Sequence, residues 1–519
     1  MKYVSVQEMI RIEEAADAAG YSYSQMMEAA GRGLADQIQK YYGRGGSRSI
    51  TALVGSGNNG GDALVALIAL EKNGWQTCGL LFKKRAEDDP LVARYLSSGG
   101  ILEDCTSFDQ AQSIFRKQIS KSDIMLDAVL GTGVKLPIRR ELKELMAEAK
   151  QIWAALDQPP VVVAVDCPSG IDCDSGAADP VVIPAQLTVT MAAVKQGLLK
   201  MPAFQYCGEI RLVDIGLPEG LPELESITRS VLDYDQVQEM IPYRELDAHK
   251  GTFGKVLIAA GSINYPGAAL LAGRGAYQSG AGLVQLGVPA GIYPGLIGAF
   301  PEAIWVSLPE DQGGFSSNAS QLLSRNLDRT NAFLIGPGLG RGSARTQFVE
   351  KVLKIKSLPP TVIDADGLQI LAGLKEWWRE LPGECVLTPH PGEMSALTGR
   401  PVREIQEDRA GTAEKYAAEW DAVVVLKGAI TVIASPGGNS RIIPIATPAL
   451  AAAGTGDVLA GVISGLLAQG LSPFDAAAAG AWIQARAGVQ AADILGTTAS
   501  VMAGDVADAV ADVFALLGK

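Results

Sequence analysis

"LVGSGNNGGDALVA", residues 53–66, decides how the first half of the chain is read. An apolar strand, Ile50 to Val54, runs into a loop of glycine and asparagine, and a helix-like run follows from Ala63. Strand, glycine turn and helix in direct succession form the start of a βα unit. The spacing Gly55-x-Gly57-x-x-Gly60 satisfies the dinucleotide fingerprint, in which glycines let a phosphate approach backbone amides at a helix N-terminus. Its companion in a nicotinamide dehydrogenase is an acidic residue closing the next strand, for the ribose hydroxyls. Here that strand ends "LLFKKRAEDD", with Lys83, Lys84 and Arg85 in its place. Such a cationic end can accept a 2′-phosphate, but nothing resembling a hydride-transfer residue follows.

The Asn58-Asn59 pair is more informative, because two amides at a helix start supply both donors and carbonyl acceptors. Asp62 reads either as the cap of that helix or as part of a site. Two further strand ends belong with the loop: "LDAVLGTGVKLP" (126–137) and "VAVDCPSGIDCDSG" (163–176). Asp127 and Asp166 both terminate apolar strands, where a carboxylate is costly unless it has a partner or a task. Asn59, Asp127 and Ser169 together offer hard oxygen ligands for a monovalent or divalent cation.

The same alternation of apolar strands and helical runs continues through all 519 residues, too many for one core. Strands are expected near 50–54, 77–82, 123–127, 161–165, 187–191 and 209–213. After the Pro-rich stretch 215–228 a second series begins at "GKVLIAAGS" (254–262). It continues near 283–288, 332–336, 361–364, 384–388 and 422–426. Two different α/β domains with mainly parallel sheets follow, over 1–215 and 236–519, joined by a linker at 216–235. Ligands in such sheets sit at the carboxyl ends of strands, where every unusual motif falls.

With 48% hydrophobic and 19% charged residues, the composition is that of a well-buried soluble enzyme. The net charge of −13 argues against a nucleic-acid or anionic-membrane partner. No apolar run reaches the ~18 residues of a membrane span, and residues 1–20 read as an amphipathic helix without a signal-peptide core. The six cysteines contain no Cys-x-x-Cys pair, so reduced thiols in the cytoplasm are expected. Only His249 and His390 are present, which disfavours a His-based metal site or a Ser-His-Asp triad.

In the second half, "ATPALAAAGTGDVLAGVISGLLAQG" (446–470) opens a long apolar helix at Gly454-Thr455-Gly456-Asp457. Backbone N–H groups and the helix dipole there form an anion hole, and Asp457 can serve as base on an acceptor hydroxyl. The bland alternative makes Asp457 an ordinary cap. No Walker loop is present. His390 reads as a core histidine or, given Pro389, Pro391 and Glu393 around it, as a site loop. Lys427 ends the strand "AVVVLK", where an ammonium aimed at phosphate is more plausible than an unpaired buried cation.

The motifs "GSGNNGGDA", "DAVLGTG" and "DCPSGIDCDSG" together resemble the NAD(P)H-hydrate epimerase domain, a Rossmann-like three-layer fold, across the first half. The resemblance implies substrate contacts at Asn58, Asn59, Gly60, Gly61 and Asp62. It implies others at Gly131, Thr132, Gly133, Val134, Lys135, Leu136 and Pro137, and at Asp166, with K⁺ at Asn59, Asp127 and Ser169. Ala63 stands where the family commonly has glycine. The run around Asp457 resembles the ribokinase-like enzymes. With "IGPGLGRG" (335–342), "DADGL" (364–368), "LTPHPGEMSALTG" (387–399) and "VLKGAITVI" (425–433) it resembles the ADP-dependent NAD(P)H-hydrate dehydratase domain. That likeness implies hydrate contacts at Ala268, Gly338, His390 and Asp457. It implies a nucleotide site at Lys427, Gly428, Ala429, Ile430, Thr431, Thr447, Gly454, Thr455 and Gly456.

The expected chemistry is epimerisation of the C6 hydroxyl with Asp166 as acid/base, then dehydration of the S form. In the second step Asp457 takes the hydroxyl proton, ADP supplies the phosphoryl group and Mg²⁺ offsets charge. The expected small-molecule partners are the hydrates of NADH and NADPH (NADHX and NADPHX) and ADP, and the resemblance suggests a homo-oligomer. Three rivals predict other outcomes: a small-molecule kinase, a non-catalytic N-terminal module like those of some mRNA-decapping proteins, and a nicotinamide dehydrogenase.

Overall fold

The apolar run before the glycine loop forms the strand Ser49–Val54, third in a seven-stranded sheet whose pairings are all parallel. In spatial order the strands are Ile101–Asp104, Gln76–Leu81, Ser49–Val54, Ile124–Ala128, Val161–Val165, Leu187–Met191 and Glu209–Val213. The computed structural model describes residues 1–43 and 48–519, which divide into two units, Met1–Thr228 and Arg229–Lys519.

Alternation along the strands builds three layers in the first unit. Ile50, Ala52 and Val54 pack with Leu34 and Ile38 of helix Tyr23–Tyr42 and with Leu64 and Leu67 of helix Asn58–Lys72. Leu53, Met125 and Val162 face the other way, onto Phe115 and Leu145 of helices Phe108–Ile119 and Arg140–Ala154. The expected N-terminal helix is Val6–Ala18, started by a reciprocal Ser5–Glu8 capping box.

The order of strand addition reverses between Ser49–Val54 and Ile124–Ala128, because the chain first builds outward to Ile101–Asp104 and then returns to the other side. That reversal opens a crevice at the carboxyl ends of the two strands. The loop after the first strand is drawn onto the second by the Gly55 N–H, which donates to the Ala128 carbonyl at 3.0 Å. A Cβ on residue 55 would lie 2.0 Å from the Val129 carbonyl oxygen, so the approach requires glycine.

The second unit carries a ten-stranded sheet. Its order is Arg229–Val231, Ser440–Ile442, Val432–Ala434, Val423–Leu426, Cys385–Leu387, Thr361–Ile363, Ala332–Ile335, Lys255–Ala259, Leu283–Pro289 and Ile304–Leu308. Only Val432–Ala434 runs antiparallel to its neighbours. The reversal lies between Lys255–Ala259 and Ala332–Ile335, and their loops are tied together by Gly261 N–H to Pro337 O (2.8 Å) and Ser262 Oγ–H to Gly338 O (2.7 Å).

Helices Gly267–Gln278 and Thr455–Ala468 pack over this sheet in near contact. A Cβ at Gly461 would sit 2.0 Å from the Ala272 carbonyl oxygen. Close packing fixes where the N-terminus of the second helix points.

The stretch 216–235, expected as a linker, is divided between the units. Leu224 and Ile227 pack with Val4, Met9 and Ile12 in the first, whereas Arg229–Val231 pairs with Ser440–Ile442 in the second. Among the described residues, no helix is long and apolar enough to cross a membrane.

Candidate functional site

In the first unit the crevice widens into a cavity of about 950 Å³. Its walls include Asn58, Asn59, Asp62, Gly131 to Val134 and Asp166. Gly60 and Gly61 lie within the helix behind them, and Lys135, Leu136 and Pro137 lie beyond the wall. Helix Asn58–Lys72 begins at the expected loop with Gly57 as its N-cap and no side-chain cap, which leaves its first N–H groups for a ligand. Asp62 is the fifth residue of that helix, so it is not the cap.

Asn59 donates through Nδ2 to the carbonyls of Val165 (2.7 Å) and Leu130 (3.1 Å), which commits its nitrogen and leaves Oδ1 uncommitted. Below it, Asp127 is fully enclosed and accepts the Ser169 N–H at 2.8 Å. Burial raises its pKa against the hydrogen bonds from Ser169. The Ser169 hydroxyl accepts the Leu130 N–H at 2.8 Å. Among the described residues Asp127 has no cationic partner, and a carboxylate buried in that state calls for a counter-charge.

Asp166 is held in the left-handed region at φ 60°, a strained position for aspartate that marks functional sites. Its Oδ1 accepts the Met191 N–H (3.0 Å), the Thr190 hydroxyl (3.1 Å) and the Lys195 ammonium. Lys195 is 1% exposed and also donates to the Met191 carbonyl at 2.9 Å. Lys195 and Glu13, both lining the cavity, were missed by motif reading. Lys195 follows the strand that ends at Met191, and Glu13 sits on an N-terminal helix far away in sequence.

Arg85 departs from the expected phosphate role. Its guanidinium donates to the carbonyls of Gly55 (2.8 Å) and Gly57 (3.1 Å) and pairs with Asp89 (2.7 Å). It staples the glycine loop, while Lys83 lines the cavity.

In the second unit, Asp457 is the third residue of helix Thr455–Ala468, whose N-cap Gly454 has φ 89° and no side-chain cap. Asp457 is therefore not the cap either. Burial pushes its carboxyl up to about 7, reinforced by Asp364, Asp366 and Glu393 and opposed by Lys427. Glu393 is likewise pushed up to about 7 by burial.

Lys427 Nζ donates to Asp364 Oδ1 at 2.8 Å and lies 3.8 Å from Glu393. Burial disfavours its charge, but the surrounding carboxylates outweigh that and its pKa is raised. The expected contrast between a phosphate ligand and an unpaired cation thus omitted a third arrangement, an ammonium already paired with Asp364. A Cβ at Gly456 would sit 3.5 Å from Nζ, so the helix N-terminus faces this ammonium.

His390 caps helix Pro391–Thr398 by accepting the N–H groups of Gly392 (3.0 Å) and Glu393 (3.2 Å) at Nδ1. That places its proton on the half-exposed Nε2 side when neutral, and its pKa is lowered by burial and by Lys427. Gly338 and Ala268 are brought together, since a Cβ on the former would sit 2.8 Å from that of the latter. Asp366 accepts the Gly340 N–H at 2.9 Å.

The loop Gly428 to Thr431 is fastened by Arg409, which donates to the carbonyls of Leu426 (2.8 Å) and Ile430 (3.1 Å). Thr455 directs its hydroxyl proton at the carbonyls of Leu450 and Ala452, both at 2.9 Å, and its N–H reaches the Ala452 carbonyl at 3.4 Å. Thr447 caps the short helix Pro448–Leu450. Asp364, Asp366 and Glu393 lie inside the motifs DADGL and LTPHPGEMSALTG but carried no assigned role, and Arg409 lies outside every motif; their task is to position and charge the expected residues.

Two family models match the chain: the YjeF-related protein N-terminus over residues 23–197 and NAD(P)H-hydrate dehydratase over 256–510. The bifunctional NAD(P)H-hydrate repair enzyme of Moorella thermoacetica is 38% identical over 495 residues, covering 93% of this chain and 91% of that relative. The protein of the same description from Salinibacter ruber is 36% identical over 516 residues, 94% and 92% of the two chains. Among solved structures, the ADP/ATP-dependent NAD(P)H-hydrate dehydratase of Bacillus subtilis, co-crystallised with ATP and Mg²⁺, is 32% identical. It aligns with 56% of this chain and 98% of its own at a TM-score of 0.47.

Proposed function

The chain belongs to the family of bifunctional NAD(P)H-hydrate repair enzymes, and on that basis we propose how its two units divide the chemistry. The first interconverts the R and S forms of C6-hydrated NADH and NADPH. The second dehydrates the S form with ADP, giving NAD(P)H, AMP and phosphate. The observation that carries this reading is one chain with two separate clusters of expected site residues. Asn58, Asn59, Asp62 and Asp166 wall the cavity of the first unit, and in the second Lys427 faces the uncapped helix N-terminus that carries Asp457.

In the second unit Asp457 takes the proton of the C6 hydroxyl, and that oxygen attacks the β-phosphorus of ADP. The N–H groups of Gly454 to Gly456 and the Lys427 ammonium receive the developing charge. Phosphate then leaves with the C6–O electron pair as the ring nitrogen donates its own, and loss of a C5 proton restores the double bond. Mg²⁺, when bound together with the nucleotide, would offset the charge of its phosphates. Asp457→Asn should lower dehydration by about 10²–10⁴-fold in single-turnover assays. A smaller loss would remove it as the base.

In the first unit Asn59, Asp127 and Ser169 would hold K⁺, which supplies the missing counter-charge to Asp127 and orders the loops that carry them. Exchanging K⁺ for choline should slow epimerisation and leave dehydration intact. Unchanged epimerisation would dismiss the ion. The six buried, free cysteines support a reducing cytoplasm, and family membership supports a homo-oligomer, which a monomeric mass in solution would contradict.

The deciding experiment supplies an equilibrated mixture of both hydrate epimers and follows the near-ultraviolet absorbance of reduced nicotinamide, with and without ADP. Complete, ADP-dependent recovery is expected. Recovery that stalls once the S form is spent would remove the epimerase role, and a stable phosphorylated product would indicate a kinase. Equal turnover of ATP in competition would overturn ADP as the preferred donor.

A further inference from the structure

Three acids and one ammonium, Asp62, Asp166, Glu13 and Lys195, line the first cavity together. Asp166 bonds Lys195 through Oδ1, and Asp62 and Glu13 feel the charges of both. Their settings differ. Asp166 has Oδ1 saturated by Lys195, Thr190 and Met191, which leaves Oδ2 without a hydrogen bond among the described residues, and the residue lines the cavity. Asp62 is 8% exposed, lines the same cavity and receives no hydrogen bond from the described residues. A carboxyl group enclosed to that degree without a partner is stable as the neutral acid, with its proton available to whatever enters.

Resting on the epimerase reading, we propose that Asp62 is the proton donor of the epimerisation and that Lys195 positions Asp166 as the acceptor opposite it. Asp62 gives its proton to the C6 hydroxyl. The C6–O bond breaks, its electron pair leaves with water, and the ring-nitrogen lone pair forms a double bond to C6. A water then adds its oxygen to the other face of C6, the nitrogen recovers its pair, and the released proton goes to Asp166 Oδ2. Solvent in the cavity returns that proton to Asp62, which closes the cycle with no net change.

The charged groups around Asp62 support the assignment. Burial raises its pKa well above the usual carboxylate value, Asp166 and Glu13 add to the rise, and only Lys195 opposes it. Asp166 follows the strand Val161–Val165, Glu13 lies on helix Val6–Ala18 and Lys195 on the short strand Val194–Lys195. The left-handed backbone of Asp166 is the strain expected where a fold holds an acceptor in one direction.

The test feeds purified R hydrate with ADP to the full chain, so that NADH appears only after epimerisation, with S hydrate as the control for the second unit. Asp62→Asn should lower the epimerisation kcat by about 10²–10⁴-fold with KM within a few-fold, and should abolish the alkaline limb of the wild-type pH profile. Lys195→Met should lower kcat in the same way, and Lys195→Arg should restore most of it. In water enriched in oxygen-18, each wild-type turnover should place solvent oxygen on C6.

A wild-type kcat in Asp62→Asn, a change confined to KM, or retention of the original C6 oxygen would each overturn the assignment. Equal loss in Lys195→Arg and Lys195→Met would reduce Lys195 to a packing role. Wild-type protein that converts only S hydrate would instead overturn the epimerase reading itself, a result distinct from all of these.

Discussion

Lys427 illustrates how one side chain sets the pH response of its neighbours. Its ammonium lowers the pKa of both Asp457 and Glu393, each still pushed up to about 7 by burial. A base must be unprotonated, so dehydration should rise with pH through about 7 in the wild type. Lys427→Met removes the charge that opposes protonation, and the rising limb should move to more alkaline pH. A limb that stays in place when kcat is measured from pH 5 to 9 would show that another group controls it. At this scale the sequence revealed residues whose type is unusual for their place. Asp127, Asp166 and Asp457 stood out because carboxylates at strand or helix ends demand a reason. Lys195 did not, and Asp364 and Glu393, though inside quoted motifs, received no role, because what matters about all three is a partner distant in sequence.

Elements buried on both faces were legible as continuous apolar runs, and the strands near 50–54, 161–165 and 187–191 lie where those runs predict. Of the edge strands, Glu209–Val213 was legible and two others were not. Ile101–Asp104 and Ile304–Leu308 each border a sheet and keep an exposed isoleucine, so neither shows the burial on both faces that marks a central strand. The antiparallel turn-back through Val432–Ala434 was equally hidden, since pairing direction leaves no mark on three residues. The helix at Thr455 offers a test of geometry. Gly454 has φ 89°, and a Cβ there would lie 2.6 Å from Leu271 Cδ1. Gly454→Ala should destabilise the second unit by about 1–2 kcal/mol from backbone strain alone and weaken nucleotide binding with it. Calorimetry and titration with ADP would measure both, and an unchanged melting temperature would contradict the strain.

Over the whole molecule, each unit closes its own hydrophobic core. Buried clusters in the first end at Ile227, and the large cluster of the second begins at Leu232. Separate expression of residues 1–228 and 229–519 should therefore yield two folded proteins, one epimerising and one dehydrating. Loss of cooperative unfolding in either piece would show that the cores depend on each other. The change of motif points to two domains, and the structure divides the chain between Thr228 and Arg229. Pro-rich sequence around 215–228 suggested a passive tether, and the tertiary contacts of Leu224 and Ile227 are what attach it to the first unit.

The short parallel pairing of Tyr3–Val4 with Val194–Lys195 bears on how the protein is handled at the bench. The Lys2 carbonyl accepts the Val194 N–H at 2.9 Å, so the opening residues brace the backbone beside the ammonium that grips Asp166. A purification tag fused directly ahead of residue 1, or a reading frame begun at Met9, would disturb that brace while leaving the glycine loop and the whole second unit untouched. Such a preparation should still convert S hydrate and fall short on R hydrate, and so be mistaken for a single-function enzyme. Comparison of tagged, cleaved and shortened proteins on the two epimers would expose the artefact, and equal rates on R hydrate would show that the brace is dispensable.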